Sequence, residues 1–279
     1  MTPATADPAA FPIRRGFDPT ALGALFVLTL RQHLRGRRLL VLALLFALPS
    51  VLAAVVRLAP HPPPPGHLEF GFVFNLIPHA LATLAALLYS AGIIQDEVEE
   101  QTLTYLLARP LTRWALYLTK LIVTFLVTAT LTSAFTILAL VVIHWNTPEL
   151  WNTVLPGRAL RVAGLMTLAQ AGYCSLFGVL GLITRRSLIV GLAYIVAFEG
   201  LLASFESVAR HLTMMYYFRV LSLRWLDPTD GKSWSIDLAT APSARTCVFT
   251  LLGASAFFAL LGAAMMAKRE FRMKTPEGS

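Results

Sequence analysis

Few residues in this chain have the types and spacing that covalent chemistry needs. Asp230-Gly231-Lys232-Ser233 has the tail of a phosphate-binding loop, in which glycine amides cradle phosphates and a lysine reaches their oxygens. That loop needs a glycine five positions before Gly231, and position 226 is Leu. Neither a His-Glu-x-x-His pair nor a Gly-x-Ser-x-Gly elbow occurs. The histidines His33, His61, His67, His79, His144 and His211 are scattered over different segments, which argues against a metal site. Cys174 and Cys247 lie in separate apolar runs and suit packing better than a disulfide. Two features remain. One is the acid-rich segment from Gln95 to Arg113, which has the makings of a docking element; the other is Glu199, an ionisable group inside an apolar run.

The elements that position these residues belong to a bilayer. Hydrophobic residues make up 56% of the 279-residue chain and charged residues only 14%, against about 25% charged in a soluble domain. Mean hydropathy is +0.66, which excludes a soluble enzyme. The net charge of +8 is spread over the ends of apolar runs, as expected for anchoring to lipid headgroups rather than binding nucleic acid. Runs long enough to cross about 30 Å of hydrocarbon are placed at 39–59, 71–94, 119–144, 162–183, 187–205 and 246–267. An N-inside orientation puts fifteen Lys and Arg inside against eight outside.

The expected fold is therefore an all-α membrane protein of six transmembrane helices with both termini cytoplasmic. Residues 1–38 form a cytoplasmic arm with an interfacial amphipathic helix, 39–267 the six-helix domain and 268–279 a cytoplasmic tail. The arm shows no signal-peptide pattern, and its apolar stretch Ala21–Leu30 is too short to span. A stub of the first span is the alternative reading. His61-Pro62-Pro63-Pro64-Pro65-Gly66 makes a stiff extended turn. The 206–245 segment, rich in aromatics between Met214 and Leu226, is expected to form short external helices on the outer membrane surface, with partial dipping as the alternative. No internal repeat relates the two halves.

In the loop after the second span, Asp96 suits an N-cap with Glu99 three residues on, and Glu97 and Glu100 add charge favourable to a helix start. Leu103, Leu106 and Leu107 follow as an apolar stripe, and Pro110 ends the helix at Arg109. The stripe can fold back on the bundle. It can also fill the groove of a soluble partner, which accounts for four acids set beside an anionic leaflet.

The run Ile94-Gln95-Asp96-Glu97 through Thr102-Leu103, then Leu106-Leu107-Ala108-Arg109-Pro110 with Arg113 and Lys120, resembles the permease subunits of type-2 ABC transporters. Ala193-Tyr194 and Phe198-Glu199-Gly200-Leu201-Leu202, leading into Tyr216-Tyr217, extend the resemblance, which covers nearly the whole chain. It implies that Asp96, Glu97, Glu99, Glu100, Thr102, Leu103, Leu106, Leu107, Arg109 and Pro110 form a coupling helix docked in a cytoplasmic ATPase. It further implies a dimer with a second permease, identical or not, in the cell membrane. ATP and Mg belong to the partner ATPase, and no cofactor is expected in this chain. An ATP-independent carrier or channel is the alternative function.

Polar residues inside the spans mark a candidate path. Asn75, His79 and Thr83 recur at helical spacing, as do Thr124, Thr128, Thr132 and Thr136, and Gln170 lies in a span with Gly164, Gly172, Gly178 and Gly181. Threonines and small residues also serve as the ordinary glue between membrane helices. Glu199 lies about 18 Å along its helix at ~1.5 Å per residue. Two roles fit it equally: a functional ionisable group, or a clamp between helices.

Overall fold

A computed structural model describes residues 19–99, 112–147, 154–184, 186–201 and 208–268. Helix α1 (Pro19–Arg35) meets α2 (Arg37–Arg57) at Gly36, whose extended backbone (φ −70°, ψ 142°) breaks the rod. The proline turn then leads to Pro65, at the first helical position of α3 (Pro65–Leu68), where a missing N–H costs nothing. A π-helical stretch, π1 (Glu69–Ala82), continues into α4 (Thr83–Ser90) and α5 (Gly92–Glu99). Pro78, inside π1, has no N–H to donate, and wide turns are one way a helix absorbs that loss. The long helices α6 (Arg113–Ile143) and α7 (Leu155–Ile183) follow. The short α8 (Ser187–Tyr194) runs into π2 (Ile195–Leu201), and α9 (Met214–Leu226) and α10 (Ala244–Lys268) complete the order.

Five helical runs are long and apolar enough to cross a membrane: Arg37–Arg57, Pro65–Gln95, Arg113–Ile143, Leu155–Ile183 and Ala244–Lys268. The observed runs begin up to seven residues before the ends drawn from hydropathy, because polar first turns stay helical. The remaining expected span, 187–205, corresponds to a shorter apolar helix, Ser187–Gly200. At ~1.5 Å per residue this described part covers about 21 Å, and 202–207 lie outside the described residues.

Helix α7 is the hub, packed against α10, α6, α4 and α9, and its central window is 72% buried against 22% for α10. Lipid tails are as apolar as leucine, so close packing rather than the hydrophobic effect holds such helices together. Tyr117 of α6 shows how close. Its buried ring lies where a Cβ at Gly262 of α10 would be, and its hydroxyl is 2.7 Å from the Cβ position of Gly178 on α7. Gly181 of α7 lies as tightly against the Ala91 carbonyl between α4 and α5.

One expectation is decided and another changes. Of the two readings of the 206–245 segment, packing favours the one in which a helix dips inward: Met214, Met215, Tyr216, Phe218, Val220 and Leu221 are buried in the bundle. Its first turn reaches the middle of α7, where the Met214 sulfur is 2.7 Å from the Cβ position of Gly172. The aromatic residues that suited a membrane interface suit protein packing equally well. The backbone is helical from Gly92 to Glu99, so Asp96 lies inside α5 rather than at an N-cap. The helix starts at Gly92, one residue after α4 is interrupted, and no new cap is needed.

Gly262→Leu is expected to force Tyr117 aside and lower the unfolding free energy by about 1–3 kcal/mol. A fall in the thermal midpoint of the detergent-solubilised protein reads this out, and pairing with Tyr117→Ala should restore part of the loss.

Candidate coupling end and buried carboxylate

The end of the bundle that carries Gly36, Gln95, Arg113 and Thr184 is stitched by side chain to backbone contacts. Gln95, in α5, donates through Nε2 to the Gly181 carbonyl (3.2 Å) and to the Thr184 carbonyl, both at the end of α7. Its Oε1 accepts from the Ser187 hydroxyl (2.9 Å) at the start of α8. One amide therefore holds the α7–α8 turn. Lys120, buried in α6, donates to the Ile93 carbonyl at 3.3 Å and grips α5 from the other side. Among the expected coupling residues, positions 96, 97 and 99 belong to α5. Glu100, Thr102, Leu103, Leu106, Leu107, Arg109 and Pro110 lie outside the described residues.

At mid-height the buried Glu199 carboxylate accepts hydrogen bonds from four donors. Oε2 takes the Tyr173 hydroxyl of α7 (3.1 Å) and the Met215 amide (2.9 Å); Oε1 takes the Tyr194 hydroxyl of α8 (2.9 Å) and the Met214 amide (3.2 Å). Met214 and Met215 are the first residues of α9, so the carboxylate sits on the unpaired N–H groups at the positive end of that helix. The Thr213 side chain caps the same turn by accepting from the Tyr216 amide (3.3 Å). This geometry suits the clamp role, since α7, α8 and α9 all converge on one side chain.

The other end of α9 carries the opposite charge. Arg158 donates to the Leu226 carbonyl (2.7 Å) and Arg161 to the Trp225 carbonyl (3.2 Å), both from the first turns of α7. Arg158 also pairs with the buried Glu69 carboxylate at 2.6 Å, with His144 3.8 Å from its second oxygen. Residue types gave little warning of this cluster. Glu69 and Arg158 both stand at the ends of apolar runs, where charges usually meet solvent.

The remaining path residues divide. Asn75 donates to the Phe70 carbonyl (3.1 Å) and accepts from the Trp234 indole (3.2 Å), which ties π1 to the segment between α9 and α10. Trp234 in turn lies under the Arg219 guanidinium, 5.6 Å from the ring centroid. Half-buried His79 lies 3.8 Å from the Cβ position of Gly200, beside Glu199. Gln170 is fully buried in α7, and neither of its amide atoms has a hydrogen-bond partner among the described residues. Of the span threonines, Thr83, Thr128, Thr136 and Thr167 turn their hydroxyls back to carbonyls of their own helices, which suits packing. Asp230 of the lookalike phosphate loop pairs with His67 at 2.5 Å, and Gly231–Trp234 is a 3-10 turn.

Glu199→Gln replaces one acceptor oxygen by an amide donor facing donors. It is expected to cost about 1.5–3 kcal/mol in thermal unfolding, and Tyr194→Phe about 1 kcal/mol. Gln95→Ala frees the α7–α8 turn, so amides of 184–190 should exchange with solvent faster while those of α10 stay unchanged.

The family model described as ABC-2 family transporter protein matches residues 33–200, more than half of the 279-residue chain. It takes in α2 to α8, both Gln95 and Glu199, and ends within π2. A search of curated proteins finds no match. The apolar helices make the chain a multi-pass membrane protein, and the family is that of the generally non-catalytic permease component of ABC transporters, which works with an ATPase subunit. The chain belongs to the ABC-2 transporter family.

Proposed function

We propose that the chain is the transmembrane subunit of an ATP-driven exporter in the cell membrane, forming the translocation path as a dimer with a second permease. The observation that carries the coupling part of this reading is Gln95. It stands at the root of the acid-rich segment and binds the turn between α7 and α8, so motion of that segment has a rigid route into the bundle.

The segment from Asp96 to Pro110 docks in the groove of the partner ATPase, its leucines filling the groove and its acids facing basic residues there. ATP and Mg2+ are bound by that partner, and this chain supplies no group to the hydrolysis. Closure of two ATPases displaces both segments. Through Gln95 the displacement reaches Ser187 and α8, and through Glu199 it reaches α9. Helix α9 therefore moves as the far end of a lever whose near end is in the cytosol. Asn75, His79 and Gln170 lie along the route the moving helices open, and the unsatisfied amide of Gln170 is a group that a polar substrate or water can bind.

The test is purification of the tagged chain in mild detergent from its own membranes. A stoichiometric partner with a phosphate-binding loop is expected. Leu103→Glu/Leu106→Glu/Leu107→Glu should abolish its retention while leaving the thermal midpoint within a few degrees. Retention by the well-folded triple variant would sink the docking claim. In the assembled complex, ATP should change hydrogen exchange at 187–201 and 214–220, and Gln95→Ala should keep the partner but lose that change.

A further inference from the structure

Positions 170, 174 and 178 of α7 follow one another at four-residue spacing and so share a face. That face meets α6 in a register set by two contacts. Thr128 Oγ1 lies 3.3 Å from the Cys174 sulfur, and the Ser133 and Thr167 hydroxyls lie 3.3 Å apart. The two helices run antiparallel, so one turn from the first contact Thr132 stands at the level of Gln170. Both residues are fully buried. The Thr132 hydroxyl has no hydrogen-bond partner among the described residues, and neither has either amide atom of Gln170. Thr128 and Thr136, one turn to each side of Thr132, return their hydroxyls to the carbonyls four residues back. The Thr132 hydroxyl does not.

More groups of the same kind lie along this face. The Ser90 hydroxyl, at the end of α4, is fully buried and has no partner of ordinary geometry among the described residues. Ser90 and Gln170 both approach the Cys174 sulfur. A thiol gives one weak proton and accepts weakly, so it cannot satisfy an amide and several hydroxyls together. The buried Tyr117 hydroxyl, also without a partner among the described residues, is 2.7 Å from the Cβ position of Gly178. A buried polar atom left so is costly, and these gather along about two turns of one helix.

Their chemistry selects the occupant. They mix donors with acceptors, and all are neutral. No charged residue occurs in 121–143 of α6, in 162–183 of α7 or in α4, so an ion has no counter-charge there. The Tyr117 ring already fills the space over Gly178 and Gly262, which bounds the size of any guest. Water matches donors and acceptors alike and makes about three hydrogen bonds when buried. We propose that this face of α7 binds a small cluster of buried waters, held by the Gln170 amide and the hydroxyls of Thr132, Ser90 and Tyr117. Water there stands in for direct bonds between α4, α6 and α7, so these helices shift against one another by exchanging bonds with water. The inference narrows the ligand of Gln170 to water. It rests on the packing of the bundle and uses nothing about the ATPase, so its failure and that of the exporter reading are separate.

The full-length chain in lipid nanodiscs is exposed to X-ray pulses, which make hydroxyl radicals from water where it is bound, and oxidation is mapped by mass spectrometry. Cys174 is 1% exposed, and Cys247, the control with the same side chain, 0%. Cys174 should be oxidised severalfold faster than Cys247, at a rate that a scavenger of bulk radicals leaves unchanged. Gln170→Met/Thr132→Val should bring it down to the Cys247 rate. Gln170→Met alone gives a thermal readout that needs no radicals. Replacing an amide that makes no bonds raises the thermal midpoint; replacing one bonded to water lowers it or leaves it unchanged, the expected result. Oxidation of Cys174 no faster than that of Cys247, or quenched together with bulk radicals, overturns the proposal. So does a higher midpoint in Gln170→Met, or a folded double variant whose Cys174 still oxidises at the wild-type rate.

Discussion

Helix α9 is held by its two ends, and the rest of the bundle is arranged around that fact. A carboxylate taken out of water costs several kcal/mol unless it is paired and hydrogen-bonded. Glu199 meets that demand with two phenols and two main-chain amides. The amides belong to a helix start, so the same contact that stabilises the charge fixes where α9 begins. At the other end Arg158 and Arg161 take the last carbonyls, again with the favourable sign for the helix dipole. Remove the Glu199 set and the start of α9 is left inside protein with unsatisfied amides, whereas the other end, with Trp225 and Asp227 exposed, is less demanding. Helices α7 and α8 then lose the element that spaces them, since both phenols come from them.

This arrangement joins two regions that are far apart in the chain. Gln95 fixes the beginning of α8, and Glu199, in π2 just beyond its end, fixes the far tip. Between them lie only the turns of α8 and π2, whose outer face of Leu188, Ile189, Leu192 and Val196 is exposed. Its inner face is packed, with a methyl of Leu87 of α4 standing where a Cβ at Gly191 would be. The element is thus held at both tips and along one side, with its outer face open.

Most of the architecture was legible in the sequence because apolar length has few alternatives. Runs of more than twenty apolar residues read as spans, and five of the six did so in three dimensions. The sixth, 187–205, is an apolar helix over the described Ser187–Gly200, and 202–205 lie outside the described residues. Glu199 stood out as an acid in an apolar run, yet its main partners could not be seen. Backbone amides carry no signature, and Met214 is a residue no motif would have named. Helix α9 left two readings open for a related reason, since aromatic and methionine side chains are equally at home at a lipid interface and in a packed interior. Gln95 was part of the recognised run without a role, because its contacts lie far along the chain at Thr184 and Ser187. The capping reading of Asp96 failed because local signals of a helix start say nothing about a helix already under way.

The Glu199 contact with α9 has a consequence for mutational tolerance. Side chains at 214 and 215 take no part in the bonds to Glu199, since every residue but one brings the same amide. Substitutions there can alter packing against Gly172, but only proline deletes a donor. The acid, by contrast, has no equivalent: its shorter homologue does not reach, and its amide turns an acceptor into a donor. One half of the interaction is thus nearly indifferent to sequence drift, and the other half rests on a single codon.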